Sequence, residues 1–163
     1  MGERRKEEFM QDVLGSTESC ENPELDSIYQ ELQENYHNLD AFGLYLLGIV
    51  LKRRRETFKA AAVLLESVRK YQYNWSAWME LASLVQNKKM FLDLRTLLNR
   101  EFESSLVKEF FLAKVCIDLQ GQGTIFRDIM DSLDDYFPKS AYILSQWATF
   151  YYDAMGKDER VLR

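Results

Sequence analysis

The sequence has 163 residues, of which 47% are apolar and 29% are charged, proportions that are typical of a folded domain rather than a disordered chain. Lys and Arg number 21 against 26 Asp and Glu, and the resulting net charge of −5 argues against non-specific nucleic-acid binding, which needs a positive surface. The longest apolar run, residues 42–51, is far shorter than the roughly 20 residues that a membrane helix needs. No apolar stretch follows Met1 in the manner of a signal peptide. We therefore expect a soluble protein that binds neither membranes nor nucleic acid.

Residues that could support catalysis or metal binding are few and scattered. Cys20, Cys116 and His37 do not have the spacing of a zinc site, and two cysteines allow at most one disulfide. The two aspartates at 134–135 would point to different sides of a helix, so they do not form a carboxylate pair. The segment 121–123, Gly-Gln-Gly, lacks the lysine and the flanking strand of a phosphate-binding loop. The sequence therefore predicts no enzyme, no metal site and no cofactor.

The predicted elements are helices throughout, because apolar residues recur at helical spacing and only two prolines interrupt the chain. In chain order, residues 4–14 form a weak amphipathic helix and residues 15–23 a polar loop. A single apolar stripe then runs over residues 25–36, and Asp40 is placed to cap the next helix. We assign residues 1–24 to an N-terminal arm and residues 25–163 to one all-α domain.

A repeat is the strongest pattern in this domain. Gly48, Ala82, Ala113 and Ala148 are small residues separated by 34, 31 and 35 positions, and each directly follows a large apolar residue. Apolar residues stand four before and three after each of them, except that Glu109 takes the first of these positions in the third instance. A small residue at this position lets two antiparallel helices cross closely, and the TPR repeat has a length of 34. The residues predicted to pack the repeats are Leu47, Gly48, Ala60, Leu64, Trp78, Leu81, Ala82, Leu112, Ala113, Trp147 and Ala148.

This spacing predicts a TPR-like α-α superhelix (solenoid) of about four helix pairs, with the last pair truncated. The pairs cover residues 41–74, 75–105, 106–140 and 141–163, and Asn74, Thr124 and Ser140 are candidate N-caps. Residues 90–111 show no clear break. In the fourth pair we expect the first helix to end at Gly156 and the second to stop after about two turns. An apolar end of this kind predicts a fragment, or a chain that needs a partner there.

The TPR motif also assigns positions that face the inner groove, three before and one after each small residue. The Lys and Asn residues of a TPR carboxylate clamp do not occur there, and the first positions are apolar, which favours an amphipathic helix as the bound element. The other interpretation is that these side chains pack only within the chain. The residues predicted to line the groove or a dimer interface are Phe42, Tyr45, Leu46, Ile49, Met79, Ser83, Phe110, Lys114 and Thr149.

One basic run, Lys52-Arg53-Arg54-Arg55, stands out from an otherwise acidic chain. It could be a nucleic-acid or nuclear-import patch. The interpretation that we favour is electrostatic, because cations at the C-terminus of a helix interact well with the helix dipole and with the last carbonyl groups.

Four segments carry a more specific resemblance. Residues 39–48, 75–81, 108–113 and 139–146 closely resemble the N-terminal part of a TPR subunit family of the anaphase-promoting complex, named for cell-division-cycle gene twenty-three and also called subunit eight. The Trp75-x-x-Trp78 pair and the Glu-Phe-Phe-Leu-Ala stretch at 109–113 are specific to it. The resemblance covers about residues 30–160, in order and with similar spacing, and residues 1–30 match poorly.

This resemblance implies a non-catalytic scaffold subunit of a cell-cycle E3 ubiquitin ligase, found in nucleus and cytoplasm. It also implies a homodimer in which the first repeats enter each other's grooves, together with contacts to other subunits of the anaphase-promoting complex. A different function stays open, because Trp75-x-x-Trp78 also resembles the half-TPR repeats of RNA-processing scaffolds.

Overall fold

The computed structural model describes residues 24–161, with side chains described as far as residue 152. This part of the chain is all-helical, and its packed helix pairs are of the TPR type, as the sequence predicts. The predicted helix at 4–14 and loop at 15–23 lie outside the described residues. A 3-10 turn, Tyr36–Asn38, follows the first helix. The α-helices are α1 (Leu25–Glu34), α2 (Ala41–Arg53), α3 (Thr57–Lys70), α4 (Trp75–Leu84), α5 (Lys88–Glu101), α6 (Leu106–Leu119), α7 (Gly123–Tyr136) and α8 (Ala141–Val161).

The described residues form two compact units, which meet between Glu80 and Leu81 of the chain. In the first unit, α2 and α3 pack as the helix pair of the first repeat. Gly48 allows this close crossing, because a Cβ atom added to it would lie 2.6 Å from both Cγ and Cδ2 of Leu64. The buried Ser67 hydroxyl donates to the Ala41 carbonyl (2.6 Å) and accepts from Asn74 Nδ2 (3.3 Å), so the end of α3 is fixed to the starts of α2 and α4.

In the second unit, α6 packs against α7 and α7 against α8. Phe126 of α7 is fully buried, with its ring 4.4 Å from that of Phe150 and 5.3 Å from that of Trp147, measured between centroids. Lys108 is buried at the start of α6, where its ammonium pairs with Glu109 at 2.8 Å. This pair explains how Glu109 is accommodated at an otherwise apolar position of the repeat.

Each first helix of a repeat starts with a side-chain N-cap at the same place, eight residues before the small residue. Asp40 accepts from the Gly43 N–H (2.7 Å), Asn74 from Ala77 (3.4 Å), Ser105 from Lys108 (3.4 Å) and Ser140 from Ile143 (3.5 Å). The predictions for Asp40, Asn74 and Ser140 are therefore confirmed. The prediction for Thr124 is wrong, because α7 already begins at Gly123 and has no side-chain cap.

The structure differs from the sequence prediction at three helix ends. The apolar stripe over 25–36 does not form one helix, since α1 ends at Glu34 and Tyr36 belongs to the 3-10 turn. Residues 90–111 do contain a break, between Glu101 and Leu106. The predicted helix end at Gly156 is wrong, because α8 continues to Val161. A glycine inside a helix, such as Gly156 in α8, costs only about 1 kcal/mol relative to alanine, so a single glycine need not end the helix.

Candidate protein-binding face

The residues predicted to pack the repeats lie in the core in the first three repeats and not in the fourth. In the first three, all nine of them are buried. In the fourth, Trp147 is half-buried and Ala148 is exposed. The reason is that, within the described residues, no second helix follows α8 to cover the side of the helix that carries Ala148. The fourth small residue therefore keeps its position in the repeat but does not lie at a helix crossing.

The predicted groove residues of the first unit lie on a side of α2 and α4 that the unit leaves uncovered. Phe42 is 58% exposed and Leu46 is 45% exposed, although Leu44 and Leu47 on the same helix are fully buried. Tyr45 and Ile49 of α2, and Met79 of α4, are half-buried. Helix α2 is thus apolar on nearly all sides, with one apolar side in contact with solvent.

An aromatic cluster that the sequence did not reveal extends this exposed side. The ring of Phe42 lies 5.8 Å from that of Tyr71, which in turn lies 5.9 Å from that of Tyr73, between centroids. Tyr71 and Tyr73 are both exposed. We call Phe42, Tyr45, Leu46, Ile49 and Met79, together with these two tyrosines, the α2 face.

The sequence did hold one indication of this cluster. An aromatic residue stands eleven positions before three of the four small residues, at Tyr71, Phe102 and Phe137, and each is the C-cap of the second helix of its repeat. The backbone N–H three residues later donates to the carbonyl of each at 3.1 Å, so the same turn recurs at each junction between repeats.

The predicted groove positions of the second unit are more polar. Phe110 is half-buried and contacts Phe137 and Tyr142, with centroid distances of 5.7 and 5.5 Å. Burial also raises the pKa of Tyr142. Lys114 forms an ion pair with Asp118 one turn later on α6. Ser83 and Thr149, the remaining predicted positions of this unit, are exposed on α4 and α8.

Two residues of the basic run, Lys52 and Arg54, make contacts inside the first unit. Lys52 Nζ lies 2.7 Å from Glu80 Oε2. Arg54 pairs with Asp26, lies 3.1 Å from Glu56 Oε1 and stacks its guanidinium 4.3 Å from the ring centroid of Tyr29. These contacts connect α1 and α4 to the end of α2, so they favour a structural role for Lys52 and Arg54 over one in a nucleic-acid patch.

The pKa shifts of three titratable groups have burial and hydrogen bonds as their causes. Burial raises the pKa of the Cys116 thiol to about 12, which leaves it protonated and unreactive. A hydrogen bond from Lys59, and then one from Arg54, lower the pKa of Glu56. A hydrogen bond to Glu66, followed by burial, raises the pKa of Tyr36.

No group of three or more His, Cys, Asp or Glu side chains in the described part of the chain could hold a metal ion. Among its helices, none is both long and apolar enough to cross a membrane. What the described residues offer is an exposed apolar surface of the kind that binds other proteins.

Fold and surface together define a helical-repeat protein of the TPR class. Its sequence places it more closely: the chain belongs to the family described as "Anaphase promoting complex subunit 8 / Cdc23", whose profile matches residues 1–148. This match includes residues 1–30, where the resemblance seen in the sequence is poor.

Individual relatives agree with the family match. The human "Cell division cycle protein 23 homolog" is 33% identical over 164 residues, which are 97% of this chain and 26% of that protein. The Arabidopsis thaliana "Anaphase-promoting complex subunit 8" is 36% identical over 163 residues, 97% of this chain and 27% of that protein. The Dictyostelium discoideum protein of the same name is 33% identical over 146 residues, which cover 86% and 23% of the two chains. The chain thus spans about a quarter of the length of these relatives.

Proposed function

We propose that this chain is a non-catalytic scaffold module of an anaphase-promoting complex, a cell-cycle E3 ubiquitin ligase, in which it contacts other subunits. The family and the names of the relatives support membership of the complex. The helix pairs support the scaffold role, since stacked helical repeats present extended surfaces for other proteins. We propose that, as a component of the cell-cycle machinery, it is found in nucleus and cytoplasm.

The specific role that we propose is homodimerisation through the first repeats. The α2 face carries this proposal: of its seven apolar and aromatic residues four are exposed, among them Phe42 at 58% and Tyr73 at 62%, and the other three are half-buried. Aromatic side chains supply much of the binding energy of protein interfaces, and an apolar helix side suits another helix as its partner. A second copy supplies such a helix, because α2 itself is apolar on nearly all sides.

Multi-angle light scattering tests this proposal. At micromolar concentration the purified chain should have twice its mass of 19.3 kDa, and Tyr45→Glu or Ile49→Asp should reduce it to the monomer mass without loss of helical circular dichroism. Phe58→Glu is the matched control, since Phe58 is an aromatic residue on α3, 87% exposed and outside the α2 face, and its variant should remain a dimer. A monomer for the unchanged chain, or dissociation by Phe58→Glu as well, would contradict the proposal.

The RNA-processing function is the alternative that the Trp75-x-x-Trp78 pair left open. Trp78 is fully buried, and its indole N–H donates to the Gln72 carbonyl at 2.8 Å, so half of the Trp75-x-x-Trp78 pair serves the packing of the first unit. The family match favours the anaphase-promoting complex.

A further inference from the structure

Helix α1 is attached to the rest of the first unit without a buried core of its own. Each of its 10 residues is half-buried or exposed. Isolated helices shorter than about 12–15 residues are marginal in water, so α1 depends on this attachment to stay helical. By contrast, the pair of α2 and α3 buries Leu44, Leu64 and Val68 completely. The two parts of the first unit therefore differ in local stability.

Polar contacts join α1 and the turn after it to the other helices. Arg54, the C-cap of α2, pairs with Asp26 and lies over the ring of Tyr29. In the 3-10 turn that follows α1, the Tyr36 hydroxyl donates to Glu66 Oε2 on α3 at 2.5 Å. The Asp26 side chain is 79% exposed, so water screens its ion pair, whereas Tyr36 and Glu66 are half-buried. The Tyr36–Glu66 hydrogen bond is therefore the stronger link.

The chain is fixed again directly after this turn. Lys70 Nζ on α3 donates to the Leu39 carbonyl at 2.8 Å. The Leu39 side chain lies against α2, since a Cβ atom added to Gly43 would be 3.0 Å from Leu39 Cδ2. A movement of α1 can therefore pivot in the 3-10 turn, Tyr36–Asn38, without disturbing the start of α2.

The side of α2 that faces α1 is apolar. At about 3.6 residues per turn, Val50 and Leu47 lie one and two turns before Arg54, on the side that contacts α1. Val50 is 4% exposed and Leu47 is fully buried. Lys52 lies nearly opposite Val50 on α2 and pairs with α4 instead. Leu46 of the α2 face stands one turn before Val50, so the α1-covered side and the α2 face adjoin.

We propose that α1 is a strap: it opens as one unit about the 3-10 turn, and the Tyr36–Glu66 hydrogen bond is its latch. When it is closed, the strap covers Val50 and Leu47. When it is open, the exposed apolar side of α2 extends from Leu46 to these two residues, while the α2–α3 pair stays folded. Helix α1 thereby sets how much of α2 is accessible to other protein chains.

Cysteine accessibility tests the strap. Val50→Cys and Leu51→Cys, each in a Cys20→Ser background, are labelled with N-ethylmaleimide, and mass spectrometry locates the label. Leu51 is 1% exposed and lies on the side of α2 that faces α3, so its variant reports opening of the α2–α3 pair. Val50→Cys should react faster than Leu51→Cys, because only α1 has to open.

Two substitutions separate the strap from the helix pair. Tyr36→Phe breaks the latch and should raise the labelling rate of Val50→Cys about tenfold, because a hydrogen bond to a charged group is lost. Amide hydrogen exchange in α1, which needs no introduced cysteine, should rise by the same factor. Val68→Ala weakens the α2–α3 pair, so it should speed labelling of Leu51→Cys and leave that of Val50→Cys unchanged.

The matched control for the latch is Tyr73→Phe, since Tyr73 is 62% exposed and its variant should change neither labelling rate. Three results would overturn the inference. If Val68→Ala raised both rates alike, α1 would open only together with the α2–α3 pair. If Tyr36→Phe left the Val50→Cys rate unchanged, the hydrogen bond would not be the latch. Rapid labelling of Val50→Cys with the latch intact would show that α1 does not cover this side of α2.

The strap does not rest on the proposed dimer. All of these rates can be measured in a Tyr45→Glu background, which should be monomeric, and the same pattern is expected there. Failure of the dimer in light scattering and failure of the strap in labelling are therefore separate results.

Discussion

The crossing at Gly48 offers the sharpest test of how the first repeat is built. In Gly48→Ala, the new Cβ would lie 2.6 Å from two atoms of Leu64, well inside the ordinary contact distance of about 3.5–4.0 Å. Leu64 is fully buried, so its side chain has little room to move away. The substitution should therefore destabilise the first unit although alanine is the better helix former.

The magnitude follows from two opposing effects. Overpacking of a core lowers the free energy of unfolding by about 1–3 kcal/mol. The higher helix propensity of alanine raises it by about 1 kcal/mol relative to glycine. Gly48→Ala should then lower the free energy of unfolding by about 1 kcal/mol. Leu64→Ala alone should lower it by about 2–5 kcal/mol, because it leaves a cavity. In the Leu64→Ala background the clash is gone, so Gly48→Ala should stabilise by about 1 kcal/mol, a change of sign.

Urea denaturation followed by far-ultraviolet circular dichroism measures all four members of this cycle. Ala62→Gly, at an exposed position of α3, is the control that measures the propensity difference by itself. A Gly48→Ala substitution that is neutral or stabilising in the unchanged chain would refute the reasoning. Equal effects of this substitution in the two backgrounds would refute it as well.

Three further predictions follow, one on the contacts of Arg54 and two on the environment of Cys116. Arg54→Met removes the charge that stacks on Tyr29, so it should lower the free energy of unfolding by about 1 kcal/mol. Amide hydrogen exchange in α1 should become faster, and unchanged exchange there would contradict this prediction. In a Cys20→Ser background, Cys116 should react with a thiol reagent only after unfolding, and rapid labelling of the native chain would show that it is not buried. Because burial raises the pKa of this thiol from 9.0 to about 12, its contribution to stability should be complete below pH 9 and be lost as the pH rises toward 12.

The helix pairs could be predicted because their requirement is local and periodic. A close crossing needs a small residue with large neighbours at helical spacing, and this pattern can be read in any single repeat. The break before α6 was missed although Ser105 has the same offset from its small residue as Asp40, Asn74 and Ser140. The segment around it, Glu-Phe-Glu-Ser-Ser, has no glycine or proline, so only comparison with the other repeats would have shown the turn.

The exposed surface was less accessible to prediction. The sequence alone indicates which positions of α2 do not face α3, and it therefore predicts Phe42, Tyr45 and Ile49 as residues of the groove or dimer interface. Tyr71 follows α3 in a turn, and its contact with Phe42 arises only when the helix pair has formed. The burial of Lys108 could not be predicted either, because its position reads as a surface lysine until its pairing with Glu109 is seen.

The recurring turn between repeats also decides where this chain can change in length. Each C-cap aromatic residue stands 11 residues before the next small residue. The separation between a small residue and the C-cap that follows it varies instead, and is 23, 20 and 24 residues after Gly48, Ala82 and Ala113. All variation in repeat length therefore falls between the first helix and the end of the second. A peptide tag or a fluorescent label inserted after Arg55 or Gly121 should be tolerated, whereas the same insertion between Tyr71 and Asn74 should separate a helix end from the cap of the next helix.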